Sequence, residues 1–134
     1  MRTKIMNEDG WEAKVSPLTV DQVAEYLERL AEATKGHEDA DAYPESVLEK
    51  LKQLAWRNVA SGLNNAHIVK WNGESPVYDD DFTPWTPERV RRELDLVLIA
   101  KIREQVYEMS GLKAVRPGEP DAVSRRVSPS SEAA

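Results

Sequence analysis

The apolar positions of this chain fall into helical stripes separated by polar loops. The longest stripe runs over 86–109, where Val90, Leu94, Val97, Leu98, Ile102, Val106 and Met109 recur at spacings of three and four, the period of one helix face. Leu96 and Ile99 widen it, which predicts neighbours on more than one side. Thr86 is placed as the N-cap and Pro87 at the first helical position, where its missing N–H costs no bond. Glu88 adds a negative charge to the first turn, as the helix dipole favours. Gly111 should turn the chain out of the helix, with Leu112 folding back onto the last turn. Arg91, Arg92, Glu93, Lys101, Arg103, Glu104 and Glu108 form the polar face. The rest of the chain is expected to be organised around this one helix.

An earlier helix has a sharper start. Thr19 with Gln22 forms a capping box, and Leu18 with Val23 a hydrophobic staple. Its apolar face is read as Val20, Val23, Ala24, Leu27, Leu30 and Ala31, bordered by Tyr26, and Gly36 ends it. After a polar loop over 35–43, Pro44 opens a second helix at an N1-like position, with Val47, Leu48, Leu51, Leu54, Ala55 and Val59 inward and Trp56 beside the stripe. Gly62 is expected to interrupt it. Over 63–71, Leu63, Ala66, His67 and Val69 or Lys70 then have the spacing of a short third helix, whereas Asn64–Asn65 and Asn72–Gly73 read as turns. Residues 72–85 read as a loop pinned down by Tyr78, Phe82 and Trp85.

At the start of the chain, Trp11, Ala13 and Val15 alternate with Glu12 and Lys14, the pattern of a short strand with one buried face. Residues 2–6 would be its hairpin partner, and an arm that orders against another protein fits the same pattern. Beyond 112, prolines and serines replace the apolar positions, as in disordered segments. The fold class is therefore mainly α. A small helical domain of three to four helices over 16–112 follows an N-terminal arm or short β-hairpin over 1–15 and precedes a disordered tail over 113–134.

Composition narrows the chemistry. With 134 residues, one domain is the default, and a core drawn from about 100 ordered residues is marginal enough for a homo-oligomer to be a natural supplement. The chain has no cysteine, which excludes disulfides and thiolate chemistry. No apolar run approaches the roughly 20 residues of a membrane span, and the first residues lack a signal-peptide core, so no membrane association and a cytoplasmic location are expected. A net charge of -6 argues against a nucleic-acid partner. The one dense basic cluster, Arg89, Arg91 and Arg92, is bracketed by Glu88, Glu93 and Asp95 and reads as a solvated helix face.

Catalytic signals are thin. His37 and His67 belong to no metal-ligand pattern, and Asp79–Asp81 lack the ligand spacing of a calcium loop. Ser61–Gly62 and Ser110–Gly111 lack the frame of a nucleophile elbow. No enzymatic activity, cofactor or metal is expected. The features that remain point to protein–protein contact: Trp56, Trp71 and Trp85 are large aromatics suited to anchoring a partner, and Leu96, Ile99 and Tyr107 lie off the centre of the long stripe. Membership of the monomer core is the competing reading for all six.

The stretch WEAKVSPLTV (11–20), the helix DQVAEYLERLAEA that follows, the acidic proline-bearing loop and the ending VYEMSGLK (106–113) together resemble the tail assembly chaperones of long-tailed bacteriophages. The most family-like pieces are Pro17-Leu18-Thr19-Val20 and Ser110-Gly111-Leu112, and the resemblance covers about residues 11 to 113. It implies a small helical protein, active in the host cytoplasm during virion assembly and absent from the finished particle. Such a protein keeps the tape measure protein soluble, and a longer frameshifted form engages the tail tube protein. A head–tail connector or other virion component, and a small protein-binding or DNA-binding regulator, are the alternatives.

Overall fold

The computed structural model describes residues 2–8 and 10–112, and the tail expected from 113 lies outside the described residues. The described chain is a small, mainly helical domain with four α-helices and two short antiparallel hairpins. In order these are β1 (Lys4–Glu8), β2 (Trp11–Val15), α1 (Val20–Thr34), a 3-10 turn (Ala40–Ala42), α2 (Glu45–Asn65), β3 (Ile68–Asn72), β4 (Ser75–Tyr78), α3 (Pro87–Glu93) and α4 (Leu96–Met109).

Local signals define most of the boundaries. The Thr19 hydroxyl accepts from the Gln22 N–H, and the Gln22 side chain accepts from the Thr19 N–H, completing the capping box of α1. Thr86 caps α3 with Pro87 in its first turn. At the end of α4, the Leu112 N–H reaches back to the Tyr107 carbonyl at 2.7 Å and the Gly111 N–H to Glu108 at 3.2 Å, which gives the last carbonyls their partners. Pro44 is the N-cap of α2, one place earlier than the N1 position expected, and Glu45 opens the helix.

The first hairpin pairs Lys4 with Val15 through to Glu8 with Trp11. Its tight turn uses Gly10 at φ 81, a backbone conformation that side chains with a Cβ resist. Met6 and Val15 enter the same core as the helices, so the hairpin is part of the domain rather than an appended arm. Of the segment read as a third helix, 63–65 continue α2 and 68–72 form β3, which pairs with β4 from the segment read as a loop. Ile68 pairs with Tyr78 and Asn72 with Ser75, around the turn that Asn72–Gly73 signalled. The rest of the 72–85 segment is held against α2. Asn64 makes two hydrogen bonds to the Trp85 backbone, at 2.7 and 2.9 Å, and Phe82 stacks on His67 at 4.0 Å. His67 also meets the Asp79 carboxylate at 2.9 Å.

The organising element is α2, which packs against α1, α3, α4 and β2. Gly62 does not break it. A Cβ at Gly62 would stand 2.3 Å from the Val106 side chain, so the missing side chain lets α4 approach the helix axis closely. The Gly62 carbonyl also accepts from the Ser16 N–H, tying α2 to the end of the first hairpin. Buried asparagines fasten the same half of α2: Asn58 donates to the Tyr107 hydroxyl, and Asn65 to the Pro17 carbonyl and Gln22. In α1 the buried line is rotated from the face expected. It runs through Val23, Tyr26, Leu27, Leu30 and Ala33, while Val20, Ala24 and Ala31 are exposed.

The expected long helix over 86–109 is two helices. Leu94 leaves the helical conformation, with φ -109 and ψ 145, and Asp95 caps a new helix by accepting from the Leu98 N–H at 2.9 Å. The break resets the phase of the buried stripe. Val90 and Leu94 are buried in the first piece, and Ile99, Ile102 and Val106 in the second. Leu98 is displaced to the edge of the core, and Leu96 and Val97 point out of it.

Candidate protein-docking cleft

The helix break opens an apolar surface. At the α3–α4 junction, Leu94, Leu96, Val97 and Ile99 line an open cleft of about 580 Å³ with Trp56 of α2. Leu96 is 81% and Val97 61% exposed, both in the first turn of α4. Trp56 is partly buried against the core and supplies the cleft with an aromatic wall. Arg91 and Asp95 stand at the rim. Arg91 pairs with Glu88, and Asp95 is committed to its cap, so neither charge crosses the apolar floor.

Three of the six expected binding residues, Trp56, Leu96 and Ile99, therefore share one cleft, although Ile99 contributes from a largely buried position. The other three are elsewhere. Tyr107 is buried, its hydroxyl bonded to Asn58 at 2.9 Å and its ring 5.5 Å from Tyr26, because α2 and α1 close over that side of α4. Trp85 is wedged between its Asn64 anchor and Arg89, whose guanidinium lies 3.8 Å from the ring centre. It walls a separate depression with Ile5, Trp11, Leu63 and His67. Trp71 is exposed on the second hairpin, as is Val69.

Val97 was assigned to the core stripe, and its place in the cleft was missed. The signal was present in Asp95, an N-cap residue three positions before Leu98 in the middle of an otherwise continuous stripe. Among the described residues, no group of three or more histidine, aspartate or glutamate side chains converges to hold a metal ion. Nor is any described helix long and apolar enough to cross a membrane. Burial pushes the Tyr78 phenol upward from its ordinary value.

No family model matches the sequence, and no curated protein or solved structure matches it.

Proposed function

We propose that this chain is a non-enzymatic tail assembly chaperone of the long-tailed bacteriophage type, which binds the tape measure protein in the host cytoplasm during tail morphogenesis. The observation that carries the reading is the pairing of exposed Leu96 and Val97 with Trp56 in one open cleft. A chaperone with no nucleotide chemistry has to cover apolar ridges of its client with apolar surface of its own, rimmed by charge. The apolar lining of the cleft supports an amphipathic helix as the client element. The resemblance over residues 11–113 supplies the identity of the client.

The test is co-expression with the tape measure protein of the same genome, followed by size exclusion with light scattering. The expected result is a soluble complex of defined stoichiometry from a client that is insoluble alone. A client that remains insoluble beside abundant soluble chaperone would contradict the proposal.

A further inference from the structure

Another pocket, of about 90 Å³ and partly open to solvent, lies between α1, α2 and α4. Its walls are Tyr26, Tyr43 and Tyr107, the apolar side chains Leu51 and Leu54, and Arg103. Arg103 is unlike every other arginine among the described residues. Arg29 and Arg57 pair with Glu25, Arg89 and Arg92 with Glu93, Arg91 with Glu88, and Arg2 donates to the Met109 carbonyl. Arg103 has neither an ion pair nor a hydrogen bond, and its Nε is buried without a partner. A chain with 24 acidic side chains has thus directed none of its described carboxylates to this guanidinium.

The tyrosines add donors. The rings of Tyr26 and Tyr107 lie 5.5 Å apart, and the Tyr107 hydroxyl accepts from Asn58. The Tyr107 hydroxyl, an acceptor toward Asn58, keeps its own proton to give. The Arg103 charge is felt at the Tyr26 hydroxyl, where it opposes the burial and the Tyr107 neighbour that push that phenol upward.

We propose that this cavity binds a short aliphatic carboxylate, whose oxygens accept from the Nη groups of Arg103 and a tyrosine hydroxyl while its stem lies against Leu51 and Leu54. A single guanidinium with one or two neutral donors matches a monoanion. The volume is far below what a nucleotide or drug-sized ligand needs. The proposal does not depend on the chaperone reading. The same chemistry is offered by a free short-chain acid and by a glutamate side chain of a partner.

The probe is sodium butyrate, titrated into the full chain at constant ionic strength while the Tyr26 and Tyr107 ring signals are followed by NMR. Saturable shifts are expected with butyrate and at least tenfold weaker ones with the isosteric neutral butyramide. Arg103→Gln should weaken butyrate binding at least tenfold, and Arg103→Lys should retain part of it. Competition by N-acetylglutamate α-amide would assign the site to a glutamate side chain, and its exclusion to a free acid. Linear shifts, equal shifts with butyramide, or undiminished binding by a folded Arg103→Gln would overturn the proposal. The butyrate–butyramide comparison decides it on the unaltered chain, whatever the variants do.

Discussion

The two ends of α4 are built for opposite tasks. Its C-terminal half is locked: Val106 fills the space left by Gly62, Ile102 is fully buried, and Tyr107 is held by Asn58 and Tyr26. Its first turn is bare, with Leu96 and Val97 facing outward beside Trp56. The bare end, Leu96-Val97-Leu98-Ile99, is the more apolar of the two, so hydrophobicity alone does not decide which end is buried. What separates them is register: the non-helical Leu94 and the Asp95 cap restart the helix so that Leu96 and Val97 fall outside its buried line.

That contrast can be broken most forcefully at Ile102. Ile102→Ala should cost about 2–5 kcal/mol of stability in urea unfolding, because a fully buried side chain leaves a cavity that the close α2–α4 contact cannot collapse into. Gly62→Ala should cost about 1–3 kcal/mol through its collision with Val106. Combined with Val106→Ala it should cost clearly less than the sum of the two, and strict additivity in that double-mutant cycle would show that the helices do not meet there.

Alkaline pH probes the same locked end. Burial holds the Tyr26 phenol protonated above its ordinary value of 10.0, while the unfolded chain releases that proton near pH 10. Above that pH the unfolded state binds fewer protons, so stability should fall by up to about 1.4 kcal/mol per pH unit from this residue; below it both states keep the proton and nothing changes. Tyr26→Phe should lack this component of the alkaline loss when the two stability–pH curves are compared.

At the other end the effects on stability are small. Asp95→Ala should cost about 1 kcal/mol, the value of an N-cap, measurable as a lowered urea midpoint. Leu96→Ser and Val97→Ser should each change stability by no more than about 0.5 kcal/mol, since neither side chain is buried, while weakening client capture. A large loss of stability from either would mean that the first turn belongs to the core.

Elements whose signals are local were legible in the sequence. The Thr19–Gln22 box, the Thr86–Pro87 start and the Gly111–Leu112 finish each depend on residues within a few positions of one another, and each has its partner in place. What was illegible depended on partners distant in sequence. Gly62 reads as a helix breaker until Val106, 44 positions away, is known to occupy its empty side. Asn64 and Asn65 read as a turn until Trp85 and Pro17 are known to be their acceptors. The second hairpin announced its turn but not its strands, because Ile68–Asn72 carries apolar spacing that suits either period. The cleft was half visible. Leu96 and Trp56 were noticed as residues off their stripes, but only the reset at Asp95 brings them together and sends Ile99 and Tyr107 inward.

Hydrogen–deuterium exchange on the free chain and on its complex with the tape measure protein tests the docking cleft most directly. The α3–α4 junction over 94–99 should gain strong protection in the complex, while the exposed second-hairpin strand over 69–71 exchanges as it does in the free chain. Unchanged exchange over 94–99, with new protection over 69–71, would contradict the account and move the docking surface to the hairpin that carries Trp71.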